Sequence, residues 1–375
     1  MKAFKQKGFT LTEIMVAAVV AIIVFTGLIN ILIASDETVD DTVNRGELQE
    51  TGRLAMQIIS RDIMMAGYWG SFTGSSFAPT HVAGSAANFT LHREANGSNV
   101  TGVINTQECS TSDARRTNNG TFPNQVVASS FRFFRHITGY SNTADVNILN
   151  GCLATRVLNS DVIQIKRLIT YDNTVDDVVN GLASLNDTRF YMLTKPGEAI
   201  VFAGNDVVPT FNDGTHILGE LGEYQHRIYF VREETRGDYT VPVLRRRFLF
   251  KNGTDVRSRG RLGDQALVEG VESLGFLYGL DTNGDGTVNY YAKASEITDQ
   301  QWEENGAKVI AVRVSILVRT LKPNVNSAPQ NAITYDLGSH TLTIQPNTNE
   351  SVMFRRMLFT NTVTLLNRGE SSWRS

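Results

Sequence analysis

Residues 7–17 read Lys7-Gly8-Phe9-Thr10-Leu11-Thr12-Glu13-Ile14-Met15-Val16-Ala17, and this stretch decides how the rest of the chain is read. Before it lies a basic leader with Lys2, Lys5 and Lys7 and no anion. After it, from Ile14 to Ser35, 22 consecutive residues carry no charge. At 1.5 Å per helical residue that run reaches roughly 33 Å, enough to cross a hydrocarbon core of about 30 Å. No second run of this kind occurs in the 375 residues, so one membrane segment is expected. Cations on its N-terminal flank place that end in the cytoplasm and everything beyond Ser35 on the exported side. Glu13 is the odd residue, because a carboxylate near hydrocarbon is costly without a partner and no Lys or Arg follows within helical reach. Headgroup level, at the positive end of its helix, is the simplest place for it.

The composition sets wider bounds. With 41% hydrophobic and 19% charged residues, the chain has enough apolar content for a large core and is not mainly disordered. Two cysteines can neither staple a disulfide-rich scaffold nor supply a four-thiolate zinc site. A net charge of −3 gives no electrostatic argument for a nucleic-acid partner.

Asp36 to Asn44 is acidic and polar. Beyond it Leu48, Ala55, Ile58, Ile59, Ile63 and Ala66 recur at helical spacing, separated by Glu47, Glu50, Arg53, Arg61 and Asp62. This pattern predicts an amphipathic continuation of the helix that packs one stripe on a domain and stops near Gly67. Residues 70–130, rich in Ser, Thr, Asn and Gly, read as loops with short strands. Strands are then predicted at Phe131–Ile137, Asp161–Ile169, Arg189–Leu193, His226–Val231, Pro242–Lys251 and Leu274–Leu280. Thr298-x-x-Gln301 marks a short helix to Glu304. In Val309–Thr320, Val312, Val314, Ile316 and Val318 lie on one strand face and Arg313, Ser315 and Arg319 on the other. Residues 322–350 are polar, and Met353–Asn367 supplies a last strand. The fold class is α+β: a long N-terminal helix on a mainly antiparallel head.

The stretch from Lys7 to Ala17 resembles the class III signal of type IV prepilins and type II secretion pseudopilins. That resemblance implies cleavage between Gly8 and Phe9 by a prepilin peptidase, N-methylation of Phe9, and retention of the apolar segment. It also implies that Glu13 pairs with the cationic amine of Phe9 on a neighbouring subunit, setting the register between helices. Removing the leader's three lysines takes the net charge from −3 to −6. Major pilins usually carry a helix-breaking Pro near the end of the first helical segment, where this chain has Gly27 and Asn30. A competing reading is a secretory signal cleaved near Ala34–Ser35, but it has no use for Glu13. Further along, Leu48–Arg53, Ser60–Gly70, Tyr278–Tyr291, Val312–Arg319 and Arg355–Val363 look like PilW-type minor pilins, though Ser71 stands where many relatives have Cys.

The expected organisation is a leader at 1–8, a transmembrane helix at 9–35, an amphipathic continuation at 36–66 and an exported head at 67–375. The resemblance implies a minor pilin, held in the bacterial inner membrane and then moved to the pilus at the cell surface. Such a subunit helps prime assembly and sits at or near the tip, supporting twitching motility, adhesion and DNA uptake. Its implied partners are other minor pilins, the major pilin, a large tip adhesin, the prepilin peptidase and the inner-membrane assembly platform. The alternatives are a J-type pseudopilin of a type II secretion system and a membrane-tethered ligand-binding protein.

Three further groups of residues invite a site. Asp281, Asn283, Asp285 and Asn289 place oxygens at loop positions 1, 3, 5 and 9, with Gly286 at position 6 and the Thr287 carbonyl at 7, a pattern suited to Ca2+. Ala292 stands where an EF-hand has Glu, so water or Glu296 must complete the shell; a plain polar turn is the alternative. Cys109 and Cys152 lie in the exported part, where a disulfide is the natural fate of two thiols. It would close a loop of about 40 residues, worth about 3–4 kcal/mol in the chain-entropy model. Two buried thiols are the other reading. Arg245, Arg246, Arg247, Lys251, Arg257, Arg259 and Arg261 form the densest basic stretch, either a phosphate-binding strand or a charged edge. The six histidines are scattered and no Gly-x-Ser-x-Gly, phosphate-binding Gly-rich loop or Cys-x-x-Cys occurs, so no enzyme is expected.

Overall fold

The computed structural model describes residues 10–72, 89–91, 119–121, 135–141, 149, 153–211, 213–237, 239–251, 260–304, 306–323, 331–346 and 353–367. The Gly8–Phe9 cleavage site, Cys109, Cys152 and the predicted strand residues 131–134 lie outside them. The chain divides into two compact units, residues 1–49 and 50–375.

The first unit is helical. Helix α1 runs unbroken from Leu11 to Met64, 54 residues or about 80 Å, through Gly27 and Asn30. A Cβ at Gly27 would meet nothing within 4 Å, so this glycine serves no packing inside the subunit. Just before it, the Thr26 hydroxyl donates to the Ile22 carbonyl at 2.8 Å, a back-bond that favours bending.

The second unit holds the last turns of α1 and the head. Ala55, Ile59, Ile63 and Ala66 are fully buried, the stripe that the spacing predicts. Gly67 follows with φ +73°, a conformation that ends a helix readily. The head then runs β1 (Phe89–Leu91), β2 (Ile137–Tyr140), β3 (Val162–Thr170), α2 (Val175–Val179), β4 (Phe190–Lys195), β5 (Glu198–Ala203) and β6 (Glu220–Arg236). After these come β7 (Tyr239–Lys251), β8 (Gly260–Glu269), β9 (Val271–Asp281), β10 (Tyr290–Ala292), α3 (Asp299–Trp302) and β11 (Lys308–Arg319). The last strands are β12 (Ile333–Asp336), β13 (Thr341–Ile344) and β14 (Arg356–Thr364).

The larger sheet has the order β1-β5-β4-β6-β3-β2, with β7 on β6 and β8 on β7. β6 is long enough to serve two partners along one edge, β4 through residues 220–223 and β7 through residues 227–236, while β3 takes the other edge. All pairs are antiparallel except β1 with β5. Both faces of this sheet are covered. On β4, Phe190 and Met192 join one core cluster with Ile228 and Phe230, while Tyr191 and Leu193 join another with Ile200, Phe202 and Leu221.

The second sheet has the antiparallel order β10-β9-β11-β14. β11 lies at its centre and is buried on both faces: Ser315 and Arg319, on the face opposite Val312 and Val314, are only 3% and 8% exposed. Arg319 donates to the Thr240 carbonyl and lies 4.0 Å from the centroid of the Phe354 ring. Asp161 ties the two sheets together: its N–H donates to the Leu274 carbonyl and its carboxylate accepts the Phe276 N–H. The polar stretch 322–350 contains a two-stranded ribbon, β12 with β13. The predicted short helix forms as α3, capped by Thr298 and Gln301.

Candidate functional site: an exposed apolar helix and a buried anchor

From Thr10 to Ile33 every described side chain is exposed, including Ile14, Val16, Ile22, Ile23, Phe25 and Leu32. The helix is long and apolar enough to cross a membrane, and among the described residues that part of it is uncovered. So much uncovered apolar surface is stable only in lipid or against other helices.

Glu13 sits in the first turn of α1. Its Oε2 accepts hydrogen bonds from the Thr10 N–H and the Thr10 hydroxyl, both at 2.8 Å, and the Glu13 N–H lies 3.3 Å from the Thr10 hydroxyl oxygen. Thr10-Leu11-Thr12-Glu13 is therefore a capping box, a pattern that the spacing of Thr10 and Glu13 makes legible in the sequence. Within one subunit the Glu13 carboxylate satisfies the Thr10 N–H, and the Thr10 hydroxyl oxygen the Glu13 N–H, backbone donors at the helix start. It is exposed, and its Oε1 takes no hydrogen bond from any described residue.

The other end of α1 is held by charge. Asp62, read from the sequence as a polar separator, is 2% exposed. Its carboxylate meets Arg227 at 2.7 Å through both oxygens, Arg167 at 2.8 Å, and the Tyr229 hydroxyl, which donates to Oδ2. Arg167 stands on β3 and the other two on the neighbouring strand β6, so one carboxylate joins the helix to two strands. Burial, then the Asp62 charge, pushes the Tyr229 hydroxyl above its ordinary range, which keeps it a donor. Ile59 and Ile63 supply the apolar contact around this cluster.

The loop at 281–289 closes on itself. Asp281 accepts from the N–H groups of Asn283, Gly284 and Gly286, and Asn283 Oδ1 from that of Asp285. Asp285 Oδ1 takes the N–H and hydroxyl of Thr287, and Asn289 Oδ1 those of Thr282. Gly284 and Gly286 have φ near +78° and +79°, which the turn requires. Thr287 and Asn283 hold the Asp285 carboxyl below its usual range. Glu296, considered as an outside ligand, instead accepts the Lys293 N–H, and Ala292 is buried. Among the described residues no group of three or more His, Cys, Asp or Glu is placed to hold a metal ion.

The basic stretch is largely neutralised by acidic neighbours. Arg245 pairs with Glu234 and, at 2.7 Å, with Asp264. Arg232 pairs with Glu234 and Asp264, and Arg236 with Glu234 and Glu269. Arg246 donates to Gln265, and Lys251 is buried with its amine on Asn205. Strands β6, β7 and β8 thus carry a ladder of opposite charges rather than a row of cations open to phosphate. Arg257, Arg259 and the Arg261 side chain lie outside the described residues.

Comparison with known proteins agrees with both ends of the chain. Residues 3–29 match the prokaryotic N-terminal methylation motif, and residues 228–367, from β6 through β14, match the family of type IV pilus-assembly protein W. A relative, the pilin-like protein PilA3 of Thermus thermophilus, is 35% identical over 68 residues. That match covers 18% of this chain and 29% of the relative. No solved structure matches. A prepilin methylation motif on an exposed apolar helix marks anchoring in the inner membrane before assembly into a pilus. With that motif near one end and the W-type match toward the other, the chain is similar at both ends to proteins of the type IV pilus system.

Proposed function

We propose that this minor pilin helps prime assembly of the type IV pilus and is incorporated at or near its tip. It does so with other minor pilins and the major pilin, beneath a large adhesin. Prepilin peptidase cuts between Gly8 and Phe9, and the methylated Phe9 amine of a neighbouring subunit pairs with Glu13. Twitching motility, adhesion and DNA uptake depend on the filament it starts. The observation that carries this reading is the helix itself: its apolar first half is wholly exposed, while a buried ion cluster fixes its last turn to a folded head. A surface of that kind is buried by transfer from lipid into a bundle of like helices, and Glu13 supplies the register. The helical bundle provides structure rather than catalysis, in keeping with the structural families matched.

Within this reading, Cys109 and Cys152 form a disulfide after export. The 281–289 loop binds Ca2+ through the lone pairs its own N–H groups leave open, which stiffens the edge beside β10.

The test is mass spectrometry of the mature N-terminus, on sheared surface filaments and on inner membrane separately. N-methyl-Phe9 in sheared filaments is the expected result. Its confinement to the membrane fraction would transfer the protein to the J-type pseudopilin reading. A terminus near Ser35 would leave only a free exported binding protein.

A further inference from the structure

Strand β14 forms one edge of the second sheet. From Arg356 to Arg319 at one end and from Thr364 to Ala311 at the other, it pairs with β11 over nine residues. No described strand pairs with its other side. Alternate residues of an edge strand turn their N–H and C=O groups outward, and such a row is a template for another chain. Native sheets blunt an edge with charges, proline or a bulge. Here Met357 to Asn367 contains no charged residue and no proline, and the β11–β14 register is uninterrupted. Thr360, Asn361, Thr362 and Thr364 are exposed, and Thr and Val suit an extended strand. By contrast, β7 and β8 carry the charge ladder described above.

The position of this edge points to its occupant. β14 lies along the last turns of α1: a Cβ at Gly52 would come within 2.1 Å of the Phe359 ring, and the Leu366 N–H donates to the Met64 carbonyl at 3.0 Å. Strand and helix therefore run in the same direction, side by side. A subunit packed beside these last turns of α1 meets the edge that no described strand occupies. A second copy of this chain pairing antiparallel through the same edge would have to reverse its α1. All copies enter the membrane with the same polarity, so that pairing is excluded for subunits of one filament.

We propose that the outer edge of β14, Met357 to Thr364, adds an extended, uncharged segment from the head of a different pilin subunit. This interaction surface rests on the assembly reading above and goes beyond helix packing, because main-chain hydrogen bonds fix the neighbouring head as well as the neighbouring helix.

The experiment places a photo-crosslinking residue at Asn361 or Thr362 of the full chain in cells and examines sheared filaments by immunoblot and mass spectrometry. An adduct to another pilin subunit is expected. Adducts only to a second copy, only within this chain, or to nothing would overturn the proposal. In parallel, Asn361→Lys with Thr362→Lys charges the edge without touching the core. Incorporation into sheared filaments should fall by roughly tenfold, while the head of the detergent-solubilised protein melts at the wild-type temperature. Normal incorporation would refute the edge while leaving the pilus reading intact. If wild-type protein with N-methyl-Phe9 is missing from filaments, the assembly reading fails, and this one with it. Should the double variant melt early, Thr364→Lys alone, at the exposed end of the strand, provides the same readout.

Discussion

The two regions of this chain treat burial in opposite ways. Between Leu11 and Ile33 even Ile, Leu and Phe side chains are exposed, whereas in the head even Asp62, Lys166, His226 and Lys251 are withdrawn from water. The head finishes its own folding, charges included. The first half of the helix leaves its apolar side chains exposed. Changes in the head should therefore appear in the melting of the isolated protein, and changes in the first turns of α1 only in assembly.

The sharpest way to break this contrast is at Asp62. Asp62→Ala removes the carboxylate that Arg167, Arg227 and Tyr229 share and leaves two largely buried guanidinium groups without it. Removing one partner of a buried ion cluster costs about 3–5 kcal/mol. The head of the detergent-solubilised protein should melt far below wild type, with membrane insertion unchanged. A wild-type melt would show that apolar contacts of Ile59 and Ile63 alone hold the helix.

Acid should act on the same side of the contrast. His226 is wholly buried between Gln164 at 2.8 Å and Thr121 at 3.0 Å, and burial, then the Lys166 charge, holds its pKa well below the ordinary value near 6.5. Burial also lowers His136 and His340, against the pull of Glu304 and Asp161 respectively. The unfolded chain takes up these protons near pH 6.5 and the folded head only at lower pH. Stability is thus full above that pH and declines as pH falls below it, by up to about 1.4 kcal/mol per pH unit for each histidine. Denaturant melts at pH 7.5 and 5.5 measure it, in a window above the carboxylate range. His226→Gln should flatten part of the slope; an unchanged slope would remove His226 from the account.

How much of this was readable beforehand follows from the range of each interaction. The charge-free run and the spacing of Ala55, Ile59, Ile63 and Ala66 are local, and both halves of α1 were legible from them. Alternation and turn residues placed β3, β4, β7, β9 and β11 within a few residues. Asp62 was misjudged because its partners lie 105 and 165 positions away, and on a helix a lone Asp beside Arg61 looks solvated. β6 was read as six residues rather than 17 because Arg232 to Arg236 is a charged run whose strand character only the pairing with β7 explains. The ribbon of β12 and β13 hid in a polar stretch whose strand character comes from cross-strand threonines such as Thr334 and Thr343.

On the helix side, Glu13 permits a cleaner cut than deletion. The capping box accepts Glu or Gln at its last position, so Glu13→Gln keeps the bonds to Thr10 while discarding the charge. Glu13→Ala discards both and loosens the helix start. If pairing with the Phe9 amine governs assembly, the two variants should be lost from sheared filaments alike, with the head melting normally in each. If Gln incorporates as wild type and only Ala fails, capping is the whole role of Glu13.

The smallest effect belongs to the loop at 281–289, where the two behaviours meet, since Asp281 is buried while Asn283, Asp285 and Asn289 are exposed, and their oxygens are already engaged by the loop's own N–H groups. A cation there adds to a turn that is formed without it. Calcium at about ten times its dissociation constant would stabilise the head by about 1.4 kcal/mol, a rise of a few degrees in melting temperature over EDTA. Asp285 is exposed and bonds only within the loop, so Asp285→Asn should abolish that rise while leaving the EDTA melt almost unchanged. No rise in the wild type would mean that the hydrogen bonds of Asp281 and Asp285 are the loop's entire purpose. The aspartates would then be turn formers, chosen because a carboxylate can accept from several backbone donors at once.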